Sequence, residues 1–336
     1  TDPRGAMDIV AVDIGYANLK LAHTDQQGNL ITKVFPAGAA PVQRAIKSLT
    51  GAIGRGVRVR VNGEDYIAAC PRSHLSGATV ILDDNYAREH DYQALYRAAL
   101  ALAGKSSVDC LVAGLPVVLA QEPARVEELK ELLRGWVEVD AGDGDQVRDV
   151  RVLPQPAGAY ISAFERGEES ADLFSGTVLV IDPGFFSLDW VCFVDQKLEA
   201  SAGGSSTTAT SRILEQTAER LSAKVRFKID PQRLDEALRD GKTTILAAGS
   251  RLEFTADLGA AAADLAAQGL RDIRAALRGH AQLPDLVILA GGGAPFYLRA
   301  AQQAFAHSRV LLSQDPVVAN VRGFWLFGQT LLAGDD

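Results

Sequence analysis

The chain has 336 residues, of which 47% are hydrophobic and 23% are charged, and its 34 lysines and arginines against 42 aspartates and glutamates give a net charge of −8. A length of about two ordinary domains predicts two hydrophobic cores, and the composition excludes disordered, collagen-like and disulfide-scaffold proteins. The acidic balance argues against direct nucleic-acid binding, and no apolar run approaches the ~20 residues of a membrane-spanning helix.

The first residues and the cysteines bear on the compartment of the protein. Residues 1–6 precede the only methionine, Met7, and are expected to be the remnant of a cleaved tag. Acidic residues follow Met7 at once, unlike in a signal peptide, so we expect a cytoplasmic protein. Cys70, Cys110 and Cys192 lie far apart and are predicted to be buried thiols in a reducing compartment, not a disulfide or zinc site.

Apolar patterning in the first half predicts a buried strand, a tight turn with a returning strand, a small β-containing insertion, a helix, an apolar strand and a second helix. These elements are placed at 7–13, 19–22, 38–63, 91–103, 108–115 and 123–133. Strands that alternate with helices in this way are typical of an α/β domain.

The second half is predicted to repeat this order, with a loop rich in glycine and serine after its first two strands. The strands are placed at 177–182, 189–194 and 286–290, the loop at 203–208, and the helices from about 209, at 231–239, at 255–277 and at about 296–305. Gly241-Lys-Thr-Thr suggests a P-loop, but Glu236 stands where that motif requires glycine. We therefore interpret Gly241 as the end of a helix that is followed by a strand.

Two features recur at nearly constant spacing along the chain. Asp13 and Asp182 each begin an Asp-x-Gly turn and are 169 residues apart, while Gly114 and Gly291 each follow an apolar strand and are 177 residues apart. Their common order predicts two similar α/β domains that face each other. An ordinary turn remains the alternative for each Asp-x-Gly taken alone.

The chemistry of such turns points to a phosphate chain. A hairpin that begins at Asp13 and passes Gly15 presents several backbone N–H groups in one concavity, which binds anions, and the turn at Asp182 and Gly184 does the same. Each aspartate could hold Mg²⁺ through water, and Lys20 could reach the same phosphates from the returning strand.

Three consecutive glycines form the other prominent motif. Gly291, Gly292 and Gly293 follow an apolar strand and precede a helix, so a planar base or a ribose could pass close to their backbone. The N-terminus of the following helix favours negative charge.

Together these segments resemble the actin-like ATPases, in the form found in the ParM/StbA plasmid-segregation proteins. The first phosphate loop, first connecting segment, second phosphate loop, adenosine motif and second connecting helix of that family are matched, in order, by residues 13–20, 152–159, 182–189, 289–294 and 315–323. The subgroup that the chain resembles is the ParM-like protein D of a ParB-related plasmid cassette, the PRTRC system.

The resemblance implies an α/β, actin/Hsp70-like (ribonuclease H-like) duplicated fold, with two α/β domains around a nucleotide cleft. Domain I would comprise 7–156 and 320–336, with a subdomain inserted at about 33–90. Domain II would comprise 157–319, with a subdomain inserted at about 212–280.

The resemblance also implies roles for individual residues. Gln155 would orient the attacking water, Asp182 would polarise it, and Asp13 and Asp182 would hold Mg²⁺, mostly through water. The residues implied to bind the nucleotide are Asp13, Gly15, Tyr16, Ala17, Asn18, Lys20, Gly184, Phe185, Phe186, Glu215, Gly291, Gly292, Gly293 and Phe296.

The second phosphate loop departs from the family pattern. Phe185 and Phe186 stand where relatives carry glycine or threonine, and Pro183 removes one N–H donor. The two phenylalanine side chains could point away while their N–H groups bind phosphate. They could equally narrow the cleft, slow hydrolysis or change the nucleotide.

The function that the resemblance implies is ATP (or GTP) binding with Mg²⁺, hydrolysis, and assembly into a homopolymer filament for plasmid segregation. Its partners would be further copies of the chain and a DNA-binding adaptor on a plasmid centromere, with no direct nucleic acid and no membrane, in the cytoplasm of a bacterium that carries the plasmid. The alternatives are a sugar- or acetate-kinase-like phosphotransferase and a nucleotide-gated scaffold without hydrolysis.

Overall fold

The computed structural model describes residues 7–46, 54, 56–76, 85–140, 143–279 and 283–334. The chain divides into two compact units, the first comprising Thr1–Glu168 and Val317–Asp336 and the second Glu169–Pro316. Residues 1–6, interpreted as a tag remnant, lie outside the described part.

Strands and helices alternate along most of the chain. The strands are β1 (Ile9–Ile14), β2 (Asn18–Thr24), β3 (Leu30–Pro36), β4 (Gly38–Pro41), β5 (Val57–Val61), β6 (Glu64–Cys70), β7 (Ser107–Leu115), β8 (Gly135–Asp140), β9 (Asp143–Pro154), β10 (Thr177–Pro183), β11 (Leu188–Val194), β12 (Lys197–Ser206), β13 (Thr244–Ala247), β14 (Ser250–Glu253), β15 (Leu286–Leu289) and β16 (Arg309–Leu312). The helices are α1 (His90–Ala103), α2 (Val117–Ala120), α3 (Pro123–Leu133), α4 (Gln155–Glu165), α5 (Ala171–Ser175), α6 (Thr210–Val225), α7 (Pro231–Arg239), α8 (Thr255–Ala276), α9 (Ala294–Ala304) and α10 (Ala319–Gly334).

The main sheet of the first unit has the strand order β3-β2-β1-β7-β9-β8. Strands β1, β7 and β9 run parallel, whereas β2 and β3 continue the sheet as antiparallel hairpins. Helices α1 and α3 cover one face and α10 the other, so apolar side chains on both faces of β1 and β7 are buried. A second, three-stranded sheet with the order β4-β6-β5 forms the predicted insertion.

The main sheet of the second unit has the order β12-β11-β10-β15-β16. Its hairpins are again antiparallel, and β10, β15 and β16 are again parallel. This arrangement matches that of β3-β2-β1-β7-β9, so the predicted duplication is confirmed. Strands β10 and β15 pack against α6, α8 and α9 in the largest core of this unit.

One side-chain contact is repeated with the strands. Asp109 accepts a hydrogen bond at 2.9 Å from the backbone N–H of Asp8, just before β1. Asp285 accepts one at 2.8 Å from the backbone N–H of Thr177, the first residue of β10. These two aspartates are 176 residues apart, so the register of the duplication in this strand differs by one residue from that given by Gly114 and Gly291.

Helices α4 and α10 cross in close contact within the first unit. A side chain on Gly158 would overlap the backbone carbonyl of Asn320, and one on Gly323 would overlap the carbonyl of Gly158. The crossing therefore requires glycine on both helices. Because α4 begins at Gln155, this contact fixes the helix that carries a predicted site residue.

Two details of the second unit test the sequence interpretation. The glycine- and serine-rich segment predicted as a loop belongs in part to β12, because Gly204 pairs with Trp190 and the indole ring covers it. That prediction was wrong over 203–206. Gly241 ends α7 with a φ of +67°, and β13 begins at Thr244, so the dismissal of the P-loop is confirmed.

The three cysteines are buried and unbonded, as predicted. Burial raises the pKa of each thiol, Cys70, Cys110 and Cys192, to about 11. Over the described residues, no helix is long and apolar enough to cross a membrane.

These thiols give a prediction about pH. At pH 8 we expect a disulfide reagent such as DTNB to react slowly with the native protein and to titrate three thiols after unfolding in urea. Because the thiols keep their protons to higher pH in the folded state, their contribution to stability is complete below the unfolded pKa of about 9 and is lost as the pH rises towards 11. Rapid reaction of native thiols at pH 8 would contradict the burial.

Candidate functional site

The first candidate loop joins β1 to β2. Asp13 pairs with Lys20 across the hairpin, and the N–H of Gly15 donates to the carbonyl of Asn18 at 3.0 Å. Tyr16 and Ala17 form the tip between them. All the residues predicted to bind phosphate in the first half therefore lie on one tight hairpin.

Asp13 is the centre of this part of the site. Its side chain is buried, Lys20 Nζ lies 2.7 Å from Oδ2, and Gln155 Nε2 donates to Oδ1 at 2.8 Å. Gln155 reaches Asp13 because β9 lies beside β7 and α4 begins where β9 ends. The fold thus joins three predicted residues that are up to 142 positions apart. Removing Lys20 would leave a buried carboxylate without its charge partner.

The second candidate loop joins β10 to β11 in the same way. Asp182 pairs with Asp189, and the N–H of Gly184 donates to the carbonyl of Ser187 at 2.8 Å. Asp189 occupies the hairpin position that Lys20 has in the first unit, and it accepts hydrogen bonds from the hydroxyls of Ser187 and Ser205. The duplicated hairpins therefore share a backbone arrangement but differ in charge.

The peptide orientation in the second loop bears on the two phenylalanines. The carbonyl of Gly184 accepts from the N–H of Thr210 at 3.1 Å, and that of Phe185 accepts from the N–H of Ser211 at 2.8 Å, both at the start of α6. Since C=O and N–H point in opposite directions in a trans peptide, the N–H groups of Phe185 and Phe186 are directed away from α6. The Phe185 ring packs against the core of the second unit.

The three glycines lie beside Asp182. Gly291 has a φ of +84°, and a side chain there would overlap Oδ1 of Asp182. Gly293 donates its N–H to the carbonyl of Pro183 at 2.8 Å and precedes α9. A side chain on Gly292 would meet no atom within 4 Å. The second phosphate loop and the glycine motif thus form one constellation within the second unit.

Glu215 and Phe296 complete the predicted set. Glu215 is on α6 and forms an ion pair with Arg212, one turn earlier on the same helix. Phe296, in the first turn of α9, is half-buried and packs on the core of the second unit. Neither has a described contact with Asp182 or the glycines, so their nucleotide contacts stay predictions.

Sequence reasoning missed one residue of the first loop. The Arg72 guanidinium donates to the carbonyl of Tyr16, from 56 residues further along the chain. No motif surrounds Arg72, and the contact depends on how the small sheet packs on the hairpin. Among the described residues there is no group of three or more histidine, cysteine, aspartate or glutamate side chains arranged to hold a metal ion.

Comparison with known proteins gives the class of this fold. Residues 11–158 match the family model described as the N-terminal domain of actin-like proteins. A non-polymerisable quadruple mutant of pCBH ParM is 18% identical, with a TM-score of 0.76 over 97% of this chain and 100% of that chain. A ParM in a 15-stranded filament from Clostridium botulinum is 18% identical, with a TM-score of 0.72 over 96% and 99%.

The chain therefore has an actin-like α/β fold. A third solved structure, the archaeal actin homolog Ta0583 in complex with ADP, is 18% identical, with a TM-score of 0.72 over 96% of this chain and 100% of that chain. A comparison with curated proteins found no match. The solved neighbours thus include ParM proteins and an archaeal actin homolog.

Proposed function

We propose that this protein binds and hydrolyses ATP, or GTP, and assembles into filaments that serve plasmid segregation. The observation that carries the nucleotide part is the buried Asp13 carboxylate, held between the Lys20 ammonium and the Gln155 amide at the mouth of a glycine-containing hairpin. The solved neighbours, a filament and an ADP complex among them, support the rest.

The donor chemistry fits a magnesium ion that accompanies the nucleotide. Asp13 and Asp182 are the residues proposed to hold it, and carboxylate oxygens are ligands that Mg²⁺ accepts. Both oxygens of Asp13 already accept a hydrogen bond from Lys20 or Gln155, which favours contact through water over direct ligation. When bound, the ion would neutralise phosphate charge.

Gln155 is proposed to orient the water that attacks the terminal phosphate. With Nε2 donating to Asp13, its Oε1 is the atom left to accept a hydrogen bond from that water. Asp182 is proposed to polarise the same water by accepting its second hydrogen. Hydrolysis would thus depend on positioning and electrostatics, as in other phosphoryl transfers.

The cellular part of the proposal rests on the family resemblance. It comprises a bacterial, plasmid-encoded, cytoplasmic filament of the PRTRC ParM-like subgroup and a DNA-binding adaptor as partner. Nucleotide contacts by Glu215 and Phe296 also belong to the proposal.

High-speed sedimentation with and without Mg-ATP, with phosphate release recorded on the same samples, tests the function. Pelleting that depends on nucleotide, together with phosphate release, is the expected result. Pelleting without release would favour a scaffold in which the Phe185 and Phe186 loop has lost hydrolysis. Absence of pelleting in every nucleotide would refute the filament proposal.

A further inference from the structure

The carbonyl at the tip of each hairpin is held from outside the hairpin. In the second unit the Phe185 carbonyl accepts from the backbone N–H of Ser211, at the start of α6. The residue 169 positions earlier is Tyr16, whose carbonyl accepts from the Arg72 guanidinium. The same atom of a duplicated loop is therefore fixed by a helix N-terminus in one unit and by a side chain in the other.

The consequence for the first loop follows from peptide geometry. Because the Tyr16 carbonyl points at Arg72, the N–H of Ala17, which belongs to the same peptide, points the opposite way. The Ala17 carbonyl is fixed in turn by the N–H of Ala37 at 3.0 Å. Two successive peptides at the hairpin tip are thus set by contacts with residues outside it.

Arg72 is itself held in a specific environment. The Tyr16 ring stacks on Tyr86 at a centroid distance of 4.5 Å, so the loop is held at its side chain as well as its carbonyl. Burial raises the pKa of Asp91, and the positive charge of Arg72 is the largest influence that opposes this rise. The same charge opposes the increase in the pKa of Tyr86. The guanidinium therefore lies among groups that favour a cation.

We propose that Arg72 is a positioning residue for nucleotide binding, which orients the Tyr16–Ala17 peptide so that its N–H faces a phosphate group. Arg72 lies just after β6 of the small sheet, so the phosphate loop of the first unit is tied to that sheet. The inference rests on the proposed function, because it assigns Arg72 to the same nucleotide site.

The test measures ATP binding by calorimetry and adenosine binding by ligand-observed NMR, in the presence of Mg²⁺, for the full chain and three variants. R72M removes the donors while keeping much of the side-chain length, and R72K keeps a cation with one donor group. R44M is the matched control, because Arg44 is an exposed arginine of the same small subdomain and the change in charge is identical.

We expect R72M to bind ATP about tenfold more weakly, which corresponds to ~1.4 kcal/mol, and adenosine within twofold of the wild type. R72K should fall between R72M and the wild type, and R44M should match the wild type for both ligands. Should R72M fail to fold, R72K carries the test through a selective loss of ATP over adenosine.

Two results would overturn the role of Arg72 while leaving nucleotide binding intact. These are wild-type ATP affinity in R72M and R72K, or a parallel loss of ATP and adenosine affinity, which a general structural defect would cause. A wild-type chain that binds no nucleotide would overturn the proposed function and this inference with it.

Discussion

Asp182→Asn is expected to reduce phosphate release by at least ~100-fold, in the range found when a positioned acid or base is removed. The amide has nearly the size of the carboxylate, so its contact with Gly291 is retained and no cavity forms. It cannot supply the negative charge that the proposal uses to polarise the attacking water. Phosphate release at saturating Mg-ATP, with the thermal midpoint of each variant, measures the effect.

Asp285→Asn is the matched control for this substitution. Asp285 is in the same unit and accepts from the Thr177 N–H at the other end of β10, and asparagine keeps an oxygen that can accept this bond. We expect wild-type phosphate release and a thermal midpoint close to that of the wild type. Unchanged release in Asp182→Asn would show that the proposed catalytic role is wrong.

Most of the fold could be predicted because its signals are local. The apolar run before Asp13, the helical spacing between Tyr92 and Leu102, and the Asp-Pro pair at Asp230 each specify one element within about a dozen residues. The Asp230 carboxylate does accept from the N–H of Gln232 at the start of α7. The duplication could be inferred because two such signals recur in the same order.

What could not be predicted depends on contacts between distant segments. Glycine and serine at 203–206 are typical of a loop, yet the Trp190 ring covers Gly204 and the segment extends the sheet as β12. The bond from Arg72 to Tyr16 depends in the same way on packing of the small sheet. Sequence patterns report local preference, and tertiary packing overrode them at these two places.

The candidate site divides along the same line. The types of residue were evident from the hairpins, but the bonds of Asp13 with Lys20 and Gln155 required the parallel pairing of β7 with β9. The orientation of Phe185 was open in the sequence. Its carbonyl bond to Ser211 and the packing of its ring show how a bulky residue fits a loop in which relatives carry small ones.

Gly291→Ala is expected to destabilise the protein by roughly 2–4 kcal/mol, from the strain of a positive φ and the forced movement of a packed group. The new methyl group would overlap Oδ1 of Asp182, which is buried and cannot move freely. The thermal midpoint measures the loss. Nucleotide binding should fall as well, since Asp182 is displaced.

Gly292→Ala separates binding from folding at the neighbouring position. A methyl group there meets no protein atom within 4 Å, so stability should change by less than about 0.5 kcal/mol. If a base or ribose passes over this backbone, the same methyl group should weaken ATP binding at least tenfold, which corresponds to ~1.4 kcal/mol.

Gly259→Ala, on the exposed face of α8, is the control for the loss of a glycine. It also meets no atom within 4 Å, and it should leave ATP binding unchanged while stabilising the helix by ~0.5–1 kcal/mol. Wild-type stability in Gly291→Ala would contradict the contact with Asp182. Wild-type ATP affinity in Gly292→Ala would instead remove the three glycines from the proposed nucleotide site, because nothing in the protein itself fills the space beside Gly292.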